Sequence, residues 1–326
     1  IKDLDTQEFM NSLGSEQTTT TLTQILPKII EQKFYTIKLS DYFSIAVGQG
    51  NPFSEELFNW KTGIVGDDFE SGLINTVNAN SNRYSDDIQV EPYRTNVFTW
   101  MKDVNWNIIQ EKVFSQGTQN LSYVQAKYRA RKKQYDLGIQ RVGIVGLKTN
   151  QAAAPGLLTQ ANVSIDTNLI TKPISSMSTT ELDALVSKMI GEFADQADYT
   201  AVPNTLVMPA KDFYGMTSAT TSQFPMKSKM KYLKDAFSEA VGQDFKILPL
   251  AWADKERNEA ITGLNKNRYV LYNNDPDTLE MQIPLDFTLT TPGTADNMNY
   301  TSVAYSRFTG VRVFRPNEMQ YFDYGA

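Results

Sequence analysis

The residue types that carry out most protein chemistry are scarce in this sequence. Its 326 residues include no histidine and no cysteine, which excludes the Ser-His-Asp triad, cysteine nucleophiles and thiolate zinc sites. Adjacent carboxylates remain, Asp67 with Asp68 and Asp86 with Asp87, in polar segments where we expect them to be solvated. Acid–base catalysis needs two carboxyl groups in a shared, partly dry cleft. We therefore predict no catalytic, cofactor-binding or metal-binding residues, no cofactor and no enzymatic activity.

Three short motifs are weak matches to ligand-binding loops. The glycines of "GQGNPF" (48–53) and "RVGIVG" (141–146) lack the spacing of phosphate-binding loops, which favours turns. The carboxylates of "DPDTLE" (275–280) lack the glycine and the twelve-residue spacing of a calcium loop, so a surface turn is predicted there as well.

A basic run stands out in "NLSYVQAKYRARKKQYDLGIQ" (120–140). It contains Lys127, Arg129, Arg131, Lys132 and Lys133. Such a run could contact phosphates, or it could be the solvated side of an amphipathic helix. The helix interpretation is favoured, because Val124, Tyr128, Arg131 and Tyr135 share one helical face between an N-cap at Asn120 and a stop at Gly138.

The composition is that of an ordinary globular protein, with 41% hydrophobic and 21% charged residues. The net charge of −6 repels polyanions, so any contact with nucleic acid must be local and weak. The absence of cysteine favours a reducing compartment. No membrane span and no secretory signal is predicted.

The N-terminal half predicts elements that extend from a folded body. A Thr-rich tract at 18–23 indicates an extended arm, and residues 34–47 predict a strand or two. Between Phe58 and Trp106, strand patterns flank the Asn-rich segment "NTVNANSNRYSDD". This pattern is typical of a projecting two-stranded flap. A helix ending at Gly117 follows.

The C-terminal half predicts a compact α/β unit at about 175–255. Its clearest helix begins with the capping box of Ser178 and Glu181 and carries apolar residues at helical spacing. A strand ending at Pro209, a helix stopped by Gly242 and the strand "DFKILPLAWAD" follow. The remainder is predicted to be strand and turn, with "NNDPD" (273–277) as a hairpin loop.

The order of these segments resembles the major capsid proteins of tailed phages with the Hong Kong 97-type fold. The resemblance runs from "VEPYRTNVFTW" and "NWNIIQEKVF" through the long helix "LSYVQAKYRARKKQYDLGI" to "PGLLTQ", where Thr159 departs from the family's usual asparagine. The blocks "PNTLVMPAKDFYGM", "RYVLYNNDPDTLEMQIPLDFT" and "TGVRVFRPNEMQYFDYGA" continue it to the C-terminus. It covers about residues 35–326.

The resemblance implies an α+β shell subunit with four parts. These are an N-terminal arm with the first strands (1–50), an extended E-loop (51–104), a peripheral domain with the long spine helix (105–150 and 261–326) and an axial domain (151–260). It further implies self-assembly into pentamers and hexamers of an icosahedral head around double-stranded DNA, with portal and possible scaffold or decoration proteins as partners. The expected location is the virion, assembled in the host cytoplasm.

Two alternatives to a phage shell remain open, and one possible cross-link belongs to the shell interpretation itself. An encapsulin-like nanocompartment would use the same fold around protein cargo, and an α/β enzyme would be built on 175–255. Within the shell interpretation, some relatives form Lys–Asn isopeptide cross-links. Lys61 and the flap residues Asn75, Asn78, Asn80 and Asn82 are candidates, although no matching glutamate motif is present.

Overall fold

A computed structural model describes residues 32–65, 87–117, 122–217, 228–294 and 296–325. Its helices are α1 (Ile108–Gly117), α2 (Tyr123–Val145), α3 (Thr179–Gln196), α4 (Ala210–Thr217), α5 (Lys229–Val241) and α6 (Lys255–Thr262). Its strands are β1 (Ser44–Val47), β2 (Glu56–Val65), β3 (Asp87–Asn96), β4 (Phe98–Asn107), β5 (Ser164–Asp166), β6 (Thr205–Pro209), β7 (Lys246–Leu250), β8 (Asn267–Tyr272), β9 (Leu279–Ile283), β10 (Leu285–Leu289), β11 (Gly293–Thr294), β12 (Asn299–Phe308), β13 (Val311–Val313) and β14 (Met319–Tyr324).

The chain divides into two compact units. Among the described residues, the first unit comprises those of 32–37, Met101–Gly138 and Phe287–Tyr305, and the second comprises those of Lys38–Trp100, Ile139–Asp286 and 306–325. The predicted segment limits do not coincide with this division. They remain a prediction about the assembled protein.

The first unit is built on aromatic contacts between α2 and strands. Trp106 of β4 stacks on Tyr300 of β12 at 5.7 Å and meets Tyr128 of α2 edge-on at 5.8 Å. Tyr135, also on α2, packs against Phe287 at 5.4 Å. These contacts confirm that Tyr128 and Tyr135 share the face of α2 that packs inward.

Helix α2 is longer than predicted. The sequence placed its stop at Gly138, yet the helix continues to Val145 and ends before Gly146, whose φ is +89°. A single glycine costs a helix only about 1 kcal/mol relative to alanine, whereas a left-handed residue cannot continue it. "RVGIV" is therefore the last turn of a helix and not a loop, and the turn interpretation of that motif is wrong. The predicted N-cap, Asn120, lies outside the described residues.

A five-stranded sheet forms the centre of the second unit. Its order is β5–β14–β8–β6–β7, with β6 and β7 parallel and β8 antiparallel to both neighbours. Helices α3 and α5 cover one face with residues including Met189, Phe193 and Phe237. The capping box at Ser178 and Glu181 is confirmed, as is the end of α5 at Gly242, whose φ is +75°.

The predicted α/β unit at 175–255 is incomplete by itself. It supplies β6 and β7, while β5, β8 and β14 come from outside it. The hairpin predicted at "NNDPD" is wrong, because β8 belongs to the five-stranded sheet and β9 pairs with β1 and β13. A local pattern identifies strands but does not reveal which distant strand each one joins. Helix α6 was not predicted, since among its residues only Asn258 is buried.

Candidate assembly surface

Strands β2 and β3 form an antiparallel ribbon in the second unit. Ten residue pairs run from Glu56 opposite Asn96 to Val65 opposite Asp87. Within the described part of the chain the ribbon pairs with no further strand. The flap predicted from the sequence is therefore present at its base, and its Asn-rich segment lies outside the described residues. An isolated two-stranded ribbon is marginally stable in water, so its side-chain contacts determine its position.

The outer face of the ribbon is apolar and open to water. Alternation along the strands and the register place Phe58, Trp60, Ile88 and Val90 on this one face. All four are exposed, Trp60 by 63% and Ile88 by 67%. Phe58 and Trp60 meet edge-on at 4.5 Å, and the Arg94 guanidinium lies 5.9 Å from the Phe58 ring. Large apolar side chains grouped in this way are typical of interaction surfaces.

The opposite, inner face of the ribbon is held against the second unit. The Tyr93 ring packs edge-on against Phe314 at 5.3 Å, and burial raises the pKa of Tyr93. Nη1 of Arg312 donates a 2.8 Å hydrogen bond to Oδ1 of Asn59. The ammonium group of Lys61 lies 4.8 Å from the Tyr93 ring. One face of the ribbon is therefore anchored while the other remains uncovered.

Arg312 is the buried centre of this anchor. It is 1% exposed, and its Nη2 donates to Oε2 of Glu280 at 2.7 Å. Its guanidinium also lies 4.9 Å from the Phe314 ring. A buried arginine of this kind needs an anionic partner, since an unpaired buried charge is strongly unfavourable. Sequence analysis missed it, although a charged residue inside the apolar run "VRV" was a usable signal.

The basic run of α2 divides into two groups. Lys127 and Arg131 donate to the main-chain oxygens of Asn105 and Asp103 on β4, the second at 2.8 Å. Side chains that donate hydrogen bonds to the carbonyl groups of a strand occupy the acceptors that another strand would need for pairing. Arg129, Lys132 and Lys133 are exposed. The run is thus mainly the solvated side of a helix, as predicted, whereas Lys127 and Arg131 are hydrogen-bonded to β4.

The other predicted groups are dispersed. Asp67, Asp68, Asp86 and the four flap asparagines lie outside the described residues, and of Asp87 only the main chain is described, in β3. Gly48 and Gly50 occupy a turn with positive φ, as predicted. Glu280, from the run considered for calcium, pairs with Arg312.

In the ranges that the structure covers, no three acidic, histidine or cysteine side chains are grouped to hold a metal ion. Across those same ranges, no helix is long and apolar enough to cross a membrane.

The fold is shared with solved phage capsids. The structure is similar to the capsid of Myoviridae Phage XM1, with a TM-score of 0.74 and 15% identity, covering 93% of this chain and 97% of that chain. A chain of Mycobacterium phage Ogopogo gives 0.58 at 13% identity, covering 96% and 98%. The capsid of an empty GTA particle gives 0.53 at 10% identity, covering 97% and 98%. No curated protein matches the sequence significantly.

The chain thus has an α+β fold that is similar to those of solved capsid chains. The sequence also matches the family model "Major capsid protein" over residues 77–324. The chain therefore belongs to the major capsid protein family, as the resemblance to tailed-phage capsid proteins predicted. It is a structural protein that assembles with copies of itself into a shell and forms part of the virion.

Proposed function

We propose that copies of this chain form the pentamers and hexamers of an icosahedral head that encloses double-stranded phage DNA. The outer face of the β2–β3 ribbon then lies on a neighbouring subunit. The observation that carries this proposal is the exposure of Phe58, Trp60, Ile88 and Val90 on one face of a ribbon that is anchored by the other. Aromatic side chains of this kind are enriched in the buried centres of protein interfaces.

A closed shell does not require each contact to be strong. Each subunit meets several neighbours, so that modest pairwise energies accumulate once the shell closes. In the assembled protein we assign residues 1–50 to an arm with the first strands, 51–104 to the E-loop, 105–150 with 261–326 to the peripheral domain, and 151–260 to the axial domain. The arm and the E-loop are the parts that reach neighbouring copies.

The charge of the chain supports only weak contact with the genome. The net charge is −6, and two of the basic residues of α2 are engaged by the carbonyl groups of β4. An inner shell surface that attracts DNA only weakly allows the DNA to be packed and released. We further propose assembly in the host cytoplasm, with a portal and with scaffold or decoration proteins as further partners, and a role that needs no cofactor and no catalysis.

The alternative of a compartment around protein cargo has less support, because the family match is to viral capsid proteins. The enzyme hypothesis is not supported by that match either. Size-exclusion chromatography and negative-stain electron microscopy of the purified chain test the proposal. Closed shells that yield DNA when isolated from infected cells are expected. A chain that stays monomeric at high concentration, or native shells that contain only protein, would contradict it.

A further inference from the structure

A polar cluster lies at the β5 edge of the five-stranded sheet. Strands β5 and β14 are parallel there, with Ser164 opposite Gln320 and Asp166 opposite Phe322. Phe322 belongs to the buried cluster that includes Phe193 of α3. Alternation along both strands therefore directs Asp166 and Gln320 toward α3 as well.

Glu192 of α3 completes the cluster. Nε2 of Gln320 donates to Oε2 of Glu192 at 3.3 Å, and the carboxyl group of Asp166 is within hydrogen-bonding reach of Glu192. Two carboxylates that face each other across a partly buried space repel when both are charged.

The third member of the cluster has an unsatisfied oxygen. Gln320 is 6% exposed, and its Oε1 is buried with no hydrogen-bond partner among the described residues. Nε2 of the same carboxamide contacts Glu192, and the nitrogen and oxygen of one carboxamide are close together, so Oε1 lies near the Glu192 carboxylate. A buried acceptor without a donor is unfavourable and calls for an unseen partner.

We propose that Asp166, Glu192 and Oε1 of Gln320 bind a divalent cation, with water completing its coordination. All three are hard oxygen donors, which Ca²⁺ and Mg²⁺ prefer to nitrogen and sulfur. Calcium fits better, because it accepts irregular geometry and a carboxylate with both oxygens, whereas Mg²⁺ demands a near-ideal octahedron. The ion removes the carboxylate repulsion and gives Oε1 a partner.

Such an ion would join three distant parts of the chain. Its ligands stand on β5, α3 and β14, and Glu192 and Gln320 are 128 residues apart. The sequence predicted no metal site, because only pairing of β5 with β14 brings these residues together. The proposal does not depend on the shell function, since all of its ligands belong to one chain.

Equilibrium dialysis of the full-length chain, stripped with a chelator and then exposed to calcium chloride, tests this site. We expect one bound ion per chain, a rise in melting temperature with calcium and a smaller rise with magnesium. Glu192→Gln and Asp166→Asn should each weaken calcium binding at least about tenfold. Glu239→Gln is the matched control, because it removes an exposed glutamate of α5 and should leave binding unchanged.

Two results would overturn the proposal. The first is a wild-type chain that takes up no calcium at millimolar concentrations, and the second is binding that neither variant weakens. Should Glu192→Gln stabilise the chain in chelator while the wild type binds no calcium, the two carboxyl groups share a proton and the cation site does not exist.

Discussion

The five-stranded sheet and the β2–β3 ribbon are built from similar residues but bury them differently. In the sheet, every residue of β6 is buried, as are all but one in β8 and in β14. In the ribbon, Phe58, Trp60, Ile88 and Val90 remain exposed. The difference lies in how each is covered, because β6, β8 and β14 each have a strand on both sides and lie in a sheet that α3 and α5 cover on one face. The ribbon contacts the rest of its unit through one face only.

The sheet and the ribbon therefore have different roles. Burial within the sheet stabilises the subunit itself, and the ribbon keeps apolar area available for a neighbouring copy. Substitutions in the sheet should therefore change folding, and substitutions on the outer face of the ribbon should change assembly without changing folding.

The largest effect is expected in the sheet region. Phe237 and Phe245 are fully buried and stack at 4.4 Å, so Phe237→Ala should lower the free energy of unfolding by about 3–5 kcal/mol. Denaturant unfolding of the unassembled chain measures this. Tyr214→Ala, at an exposed ring of α4, should change it by less than about 0.5 kcal/mol. Equal losses in the two variants would show that burial in the sheet region does not stabilise the subunit.

Arg312 stands on β13, which pairs with β9 outside the five-stranded sheet, and its side chain anchors the ribbon. Its loss should affect both the free energy of unfolding and the position of the ribbon. Arg312→Met leaves Glu280 without its cation, and breaking such a pair costs about 3 kcal/mol. The side chain of Glu280 is 16% exposed, which places the cost at the lower end of the usual range. Hydrogen exchange should also accelerate in β2 and β3. Unchanged exchange there would show that Arg312 does not hold the ribbon.

Asn59 isolates the contribution of the ribbon anchor. Asn59→Ala removes the acceptor of the Arg312 hydrogen bond and should cost about 1 kcal/mol, because Asn59 is exposed to water. Amide exchange should rise in β2 and β3 and stay constant in β6 and β8. Asn59→Asp keeps the acceptor, so it should behave like the wild type, and a loss as large as that of alanine would argue against the anchor.

The smallest effect concerns the first turn of α3. Hydrogen bonds from Lys172 and then from Ser178 lower the pKa of Glu181 from 4.5 to about 2. A lowered carboxyl pKa stabilises the fold above pH 4.5, and that stability is lost as the pH falls toward 2. Glu181→Gln should therefore melt at a lower temperature at pH 6, and the difference from the wild type should shrink by pH 3. A constant difference would contradict the assignment.

The sequence predicted local features and missed long-range ones. The capping box of α3, the end of α5 at Gly242 and the existence of the ribbon follow from residue types within a few positions, which is why they were recognised. The pairing of β14 with β5 and β8, and the approach of Arg312 to Asn59 across 253 residues, depend on the whole chain. Gly138 misled the prediction because glycine is tolerated inside a helix as well as at its end.

The sequence predicted the existence of the candidate surface but not which of its faces is covered. Alternation predicted a two-stranded flap, but it did not show which face would be covered, since apolar residues stand on both. Tyr93 and Leu57 face inward, whereas Trp60 and Phe58 face outward. The contacts of Tyr93 with Phe314 and of Asn59 with Arg312 distinguish the two faces.

Hydroxyl-radical footprinting of Trp60 in closed shells and in the unassembled chain tests the central claim most directly. Trp60 is 63% exposed in the chain by itself, and Trp106, at 7%, serves as a buried internal reference. We predict that Trp60 is oxidised readily in the unassembled chain and slowly in the shell, while Trp106 reacts slowly in both. Equal oxidation of Trp60 in the two forms would show that no neighbouring copy covers the ribbon and would contradict the account.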